Sequence, residues 1–184
     1  ISGTKPIYFL STPQFRKIAM GKIFGIPFGV LIFLGATIIA SFILSKTVFG
    51  RYTYALGSNE EATRLSGINV DRWKIAIYTL GGFFSGLAGV IMASSLNSAQ
   101  PALGQGYELE AIAAVVIGGT SLSGGEGTIL GTIIGAFIMS VLVNGLRILS
   151  IPQEWQTVIT GAIVILAVYS DILRRKKTKT QTLG

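Results

Sequence analysis

Long uncharged apolar runs constrain this chain more than any other feature. Residues 23–45, 75–107 and 128–146 hold no charged side chain. Runs of this length match the ~20 helical residues needed to cross a hydrocarbon core of about 30 Å. Half of the residues are hydrophobic and 12% are charged, where a soluble domain carries about 25%. A mean hydropathy of +0.64 and 24 glycines fit membrane helices, in which glycine is commoner than in soluble ones. The chain has no Cys and no His. Disulfides are therefore excluded, the usual zinc and haem ligands are missing, and no Ser-His or Cys-His nucleophile pair can be built. No catalytic residue, cofactor or metal is expected.

The net charge of +7 first suggests nucleic acid, but the basic residues flank the apolar runs and form no basic face with interleaved aromatics, so no nucleic-acid partner is expected. Five of them lie in the segment 46–74, with three acidic residues, and five more in 174–179. None lies between 96 and 107. The positive-inside rule places 46–74 and the basic tail, 172–184, in the cytoplasm. Lys5, Arg16, Lys17 and Lys22 oppose that orientation. The chain opens on Ile1 without a charged leader and cleavage site, so it is expected to be a fragment or a mature C-terminal portion.

The expected fold class is all-α, a single polytopic transmembrane bundle over 1–184. Crossings are expected at 23–45, 75–95, 128–146 and 155–169. A short apolar segment, 109–118, is about half a span long, and parity requires that it cross or nearly cross. Thr12-Pro13 before Phe15, Ile18 and Ala19 predicts an N-capped interfacial helix. The turn residues of "NSAQPALGQGY" end the second long helix near 95–97. The basic tail is expected to be disordered.

Between the short segment and the next span stands "TSLSGGEGT", 120–128. Leu-Ser-Gly-Gly-Glu matches the signature motif of ABC-transporter ATPases. However, the chain has no G-x-x-x-x-G-K-[ST] loop to cradle phosphates, and "TILGTIIGAFIMSVLV" follows directly. A nucleotide role is excluded on that context. The glycines free the backbone between a half-length helix and a full one. Two readings stay open: a discontinuous helix lining a transport path, as in many carriers, or an ordinary short cytoplasmic turn.

The segment "GRYTYALGSNEEATRLSGINVDRWK" predicts a short helix, 59–66, about 12 Å long. Ser58 and Glu61 fit an S-x-x-E capping box, and Gly67 fits a glycine stop. Ala62 and Leu65 share one face, with Glu60, Glu61 and Arg64 at its margins. Two turns are not stable alone, so this helix docks on its own membrane domain or on a cytoplasmic partner.

"ALGSNEEATRLSGINV" resembles the EAA-type coupling loop of the ribose/monosaccharide class of bacterial ABC importer permeases. "SAQPALGQGYELEAIAAVVIGGTSLSGGEGTILGTIIGA" is similar to the same family's later segment, and the likeness runs from about residue 46 to 171. The resemblance implies an all-helical, multi-pass inner-membrane subunit, the C-terminal part of a longer permease. It implies a second permease subunit in a homo- or heterodimer, a periplasmic sugar-binding protein, and a cytoplasmic ABC ATPase subunit that hydrolyses the ATP. It makes Ser58, Glu61, Ala62, Arg64, Leu65 and Gly67 the ATPase-coupling residues.

Two glycine faces, Gly82, Gly86 and Gly89 on one helix and Gly127, Gly131 and Gly135 on another, are expected to pack helices closely in lipid. Asn97, Gln100, Glu108, Glu110 and Asn144, with Gln105 and Arg147, are the polar groups expected near the outer side. They suit the passage of a hydrogen-bonding sugar. Glu108 and Glu110 equally suit a helix N-terminus, through its dipole. Two other classes compete: a secondary carrier, which would bury an ionisable residue mid-span to bind its coupling ion, and a membrane scaffold, which needs no capped docking helix.

The absence of native cysteines makes the orientation testable. Ser58→Cys and Thr178→Cys should react with an impermeant maleimide only after cells are opened, and Ser98→Cys in intact cells with a permeable outer membrane. The reverse pattern would overturn the topology.

Overall fold

The computed structural model describes residues 7–8, 13–23, 25–100 and 103–181. Lys5 and Thr12, the proposed cap of the first helix, lie outside the described residues. The architecture is all-α apart from two-residue ladders. Among the described residues four helices are long and apolar enough to cross a membrane. Two compact units can be described: Ile1–Thr53 with Arg64–Leu103, and Tyr54–Thr63 with Gly104–Gly184.

In the first unit, helix α1 (Pro13–Met20) docks on the end of α5 (Val70–Leu96). The tie is polar. Ser94, fully buried, accepts from the Ala19 amide at 3.0 Å and donates to the Phe15 carbonyl at 2.7 Å. A buried hydroxyl satisfied on both sides fixes the docking, because leaving either partner unmade costs about 1–3 kcal/mol. Strand β1 (Ile7–Tyr8) pairs antiparallel with β4 (Ser98–Ala99), while β2 (Lys22–Ile23) pairs with β3 (Ile26–Pro27). Helix α2 (Phe28–Lys46) is the first membrane-length helix. Ser98 is buried, so the outside cysteine probe belongs at the exposed Gln100 instead.

Helix α5 begins five residues before its uncharged run. Asn69 caps it, its side-chain oxygen accepting from the Arg72 amide at 3.1 Å, and Asp71 in the first turn complements the dipole. Asn97 ends it in the left-handed conformation, where the turn residues indicated. The segment 46–74, expected as a loop around one short helix, contains a second one, α3 (Val48–Ser58). Gly50 allows the sharp break from α2, since a Cβ there would collide with the Leu44 carbonyl. Trp73 meets Phe49 and Tyr52 edge-on, with centroids 5.9 and 4.8 Å apart, so aromatic packing holds the start of α3 where propensity alone would not.

The second unit is built on α6 (Tyr107–Ile117), which packs against α7 (Ile129–Ile148) and α8 (Gln153–Gln181). Eleven residues make α6 about 16 Å long, half a span, as the short segment required. Its core consists of Ala113, Ala114 and Met139, with Ile117, Ile163 and Val164 around them. Small residues let α6 and α7 meet backbone to backbone. A Cβ on Gly131 would strike the Gly118 carbonyl and one on Gly135 the Ala114 carbonyl, whereas Gly127, expected on the same helical face, lies outside α7 in the preceding loop, where a Cβ would meet the Thr120 side chain. The other glycine face differs: apart from the adjoining backbone of their own helix, no described atom lies within 4 Å of a Cβ built on Gly82, Gly86 or Gly89, so the packing expected there is not made within the described residues.

The basic tail also departs from expectation. Helix α8 continues through 174–179 to Gln181 instead of ending in disorder. No Gly or Pro follows Gly161 before Gly184, Lys and Arg are good helix formers, and cations near a helix C-terminus are favourable.

The α6–α7 seam should not tolerate bulk. Gly131→Leu is expected to lower stability in detergent by about 1–3 kcal/mol or more, the scale of overpacking. Gly86→Leu should leave the melting temperature nearly unchanged. An unshifted Gly131→Leu melting curve would contradict the seam.

Candidate functional site

The predicted short helix forms as α4 (Glu60–Leu65). Its start differs from the expected capping box. Ser58 is the last residue of α3, and Asn59 is the cap, its side-chain oxygen accepting from the Ala62 amide at 3.0 Å. Glu61 therefore sits at the second helical position instead of the third, beside Glu60, where both carboxylates favour the N-terminus. Asn outcompetes Ser here because a backbone bond from the Asn59 amide to the Ala55 carbonyl at 3.0 Å carries α3 through Ser58. The stop is as expected: Gly67 adopts a φ of +81° and its amide donates to the Arg64 carbonyl.

The sequence reading missed which side of α4 is anchored. Thr63 is buried, and its hydroxyl donates to the Asn59 carbonyl at 2.8 Å. Ala62 and Leu65 face outward, Leu65 with 83% of its surface exposed. Arg64 stands at the rim, 4.0 Å from Asp71. Both side chains are largely exposed, so this pair contributes about 0–1 kcal/mol. A six-residue helix thus holds an apolar side chain out between charges.

The loop 120–128 is an ordered structure. The Thr120 amide donates to the Val115 carbonyl, Ser121 to the Glu126 carbonyl and Gly124 to the Ser121 carbonyl, at 2.9–3.1 Å. Buried Ser121 donates its hydroxyl to Asp171 at 3.1 Å and accepts from the Ser123 amide. Gly119, Gly124, Gly125 and Gly127 all have positive φ. Thr128 caps α7, its hydroxyl accepting from the Gly131 amide at 3.1 Å. Such internal satisfaction is what non-helical backbone packed within a protein requires.

A cleft of about 340 Å³ opens along α6 and α7, lined by Tyr107, Glu110, Met139, Ser140, Asn144 and Arg147 among others. Its size falls in the ~300–1,000 Å³ range of small-molecule sites. It brings together Glu110 and Asn144, and adds Tyr107 and Ser140, which sequence reasoning missed. The spacing of Ser140, Asn144 and Arg147 at i, i+4 and i+7 put them on one helical face, a usable signal. Glu108 is exposed in the first turn of α6 and does not line the cleft. Gly106 caps that helix without a side chain, so the dipole reading suits Glu108. Asn97 and Gln100 belong to the first unit. Among the described residues the buried Asn97 side-chain oxygen has no hydrogen-bond partner, and Gln100 reaches Ser98 at 3.5 Å.

Residues 1–168 match the family described as "Branched-chain amino acid transport system / permease component". The chain is 49% identical over 174 residues to the ribose import permease protein RbsC of Bacillus subtilis, covering 94% of this chain and 53% of that protein. It is 49% identical to the Escherichia coli protein of the same name (85% and 49% covered). To the xylose transport system permease protein XylH of Haemophilus influenzae it is 43% identical (92% and 47% covered). The chain spans about half the length of these curated relatives. No solved structure gives a significant match. Four membrane-length apolar helices and the family match over most of its length lead to one conclusion: the chain belongs to the branched-chain amino acid transport system / permease component family.

Proposed function

We propose that the chain forms the membrane-spanning part of an ATP-binding cassette importer in the bacterial inner membrane. A periplasmic binding protein delivers a ribose-like monosaccharide, and a cytoplasmic ATPase subunit hydrolyses the ATP. A second permease subunit completes the pathway. The observation that carries the reading is α4: a capped six-residue helix holding Leu65 outward, 83% exposed, beside Ala62 and inside a charged rim. Exposed leucine on a rigid short helix suits a groove in a partner, with the charged margin setting register. The relatives named for ribose and xylose import favour a pentose. The cleft along α6 and α7 supports passage of such a ligand, since Glu110, Ser140 and Asn144 offer acceptors and donors suited to hydroxyl groups. Only weak sugar contacts are needed there, because the binding protein supplies the affinity.

Leu65→Asp is expected to abolish labelled ribose and xylose uptake while the permease still inserts in the membrane. It places a charge where the partner's groove would desolvate it, at a cost of several kcal/mol. Arg64→Glu should impair uptake less, since it acts at the rim. Asn59→Ala should weaken α4 by about 1 kcal/mol, more than Ser58→Ala. In reconstituted complexes Leu65→Asp should lose ATPase stimulation by the loaded binding protein. Normal uptake by Leu65→Asp with the ATPase still bound would remove this reading's main support.

A further inference from the structure

The last turn of α3 and the loop 120–128 meet backbone to backbone. A Cβ on Gly57 would stand 2.6 Å from the Gly125 nitrogen and 3.4 Å from the Gly124 carbonyl carbon. From the other side, a Cβ on Gly124 would stand 2.5 Å from the Gly57 oxygen, and one on Gly125 2.9 Å from the Ser58 Cα. Real Cβ atoms do not come this close to backbone, so each position admits only glycine without a shift. Gly124 and Gly125 also have φ of +85° and +80°, which penalises any side chain. Gly57 has no such requirement. It sits inside a helix, where alanine is ordinarily the better residue, so the contact alone explains why a Cβ is excluded there. One turn earlier Tyr54 donates its hydroxyl to the Gly127 carbonyl at 2.7 Å. Residues 54, 57 and 58 share one helical face, and the loop is held along that face at two separate points.

Both ends of this contact lead to functional elements. On one side only Asn59 separates α3 from α4, and the backbone bonds Asn59 to Ala55 and Thr63 to Asn59 bridge the gap. On the other side the loop is tied to α6 through Thr120 and Val115, to the start of α7 through Thr128, and to α8 through Ser121 and Asp171. Helices α6 and α7 line the cleft with Glu110 and Asn144. Close-packed backbone cannot slide gradually, so a displacement of α4 moves the loop or breaks the clasp.

We propose that the Gly57/Gly124–Gly125 clasp, with the Tyr54–Gly127 hydrogen bond, is the joint that passes motion of α4 to α6 and α7. Tyr54 and Gly57 are positioning residues for coupled transport. The Leu-Ser-Gly-Gly-Glu stretch contributes the loop half of the joint and touches no nucleotide. This inference rests on the reading of α4 as the ATPase-docking helix.

The test is the ratio of pentose transported to ATP hydrolysed, in the complete importer in proteoliposomes, with ribose and xylose as probes. Gly57→Ala should leave membrane insertion, ATPase binding and basal hydrolysis intact while the ratio falls about tenfold, the scale of a typical coupling free energy between two sites. Gly86→Ala, where no described atom would meet the methyl group, should keep the wild-type ratio. Tyr54→Phe, which removes only the hydroxyl, should lower the ratio in the same direction by a smaller factor. A wild-type ratio in Gly57→Ala overturns the proposal. If Gly57→Ala fails to assemble, Tyr54→Phe decides: a lowered ratio with normal assembly supports the joint, and an unchanged ratio overturns it. Leu65→Asp separates the two ideas. If it abolishes uptake while Gly57→Ala transports normally, the clasp fails and the docking helix stands. If Leu65→Asp transports normally, the docking reading itself has failed.

Discussion

Backbone that leaves the helix inside packed protein must find partners for its polar groups, because each one buried unpaired costs free energy. The loop of the second unit meets that demand between Ile117 and Ile129. Local amide bonds close the loop on itself, the Ser121 hydroxyl ties it to Asp171, and three glycines, Gly118, Gly124 and Gly125, bring other backbone within reach. Gly118 and Gly131 press α6 onto α7 directly above it. The half-length helix is stable because it is enclosed, with Ala113 and Ala114 buried between its neighbours. Take away the small residues and the broken segment would have neither dispersion contacts nor hydrogen-bond partners.

The same chemistry gives the loop next to α3 its character. An α-helix that must move against a membrane unit can be fastened by side chains, which swing through rotamers, or by backbone, which does not. The Gly57 contact is of the second kind, reinforced by a single tyrosine hydroxyl. Helix α4, by contrast, presents Leu65 away from its own chain. A rigid inner attachment combined with an outward apolar face is the arrangement a lever needs, and it fits the import function proposed for the chain.

Much of this was legible in the residues. Uncharged runs located α2, α5, α7 and α8, because the cost of charge in lipid leaves a plain signal. Asn97 closed α5 where the turn residues placed its end, and Thr128 opened α7 where the uncharged run begins. The short helix α4, its glycine stop and the α6–α7 glycine face were also visible, since capping and small-xxx-small patterns are local. What escaped depends on distant partners. Helix α3 contains two glycines and β-branched residues, and it is held by Trp73, some twenty residues further on. The choice of Asn59 over Ser58 as cap follows from α3 running through Ser58, its last turn closed by the Asn59–Ala55 backbone bond. Whether Gly82, Gly86 and Gly89 meet another helix could not be told from spacing, and within the described residues they do not. The cleft gathered Glu110 and Asn144 but left Glu108 at the helix end, a division set by where α6 begins.

The central claim is that α4 carries its outward face into a groove of the ATPase. The most direct measurement places a photoreactive phenylalanine analogue at position 65 of the permease, in membranes holding the complete importer, and identifies what it captures on illumination. The account predicts a cross-link to the ATPase subunit, formed in the assembled complex and absent for the same label at Phe83, on an exposed face of α5. A cross-link from position 65 only to lipid or to the permease's own helices, with the ATPase demonstrably bound, would contradict it.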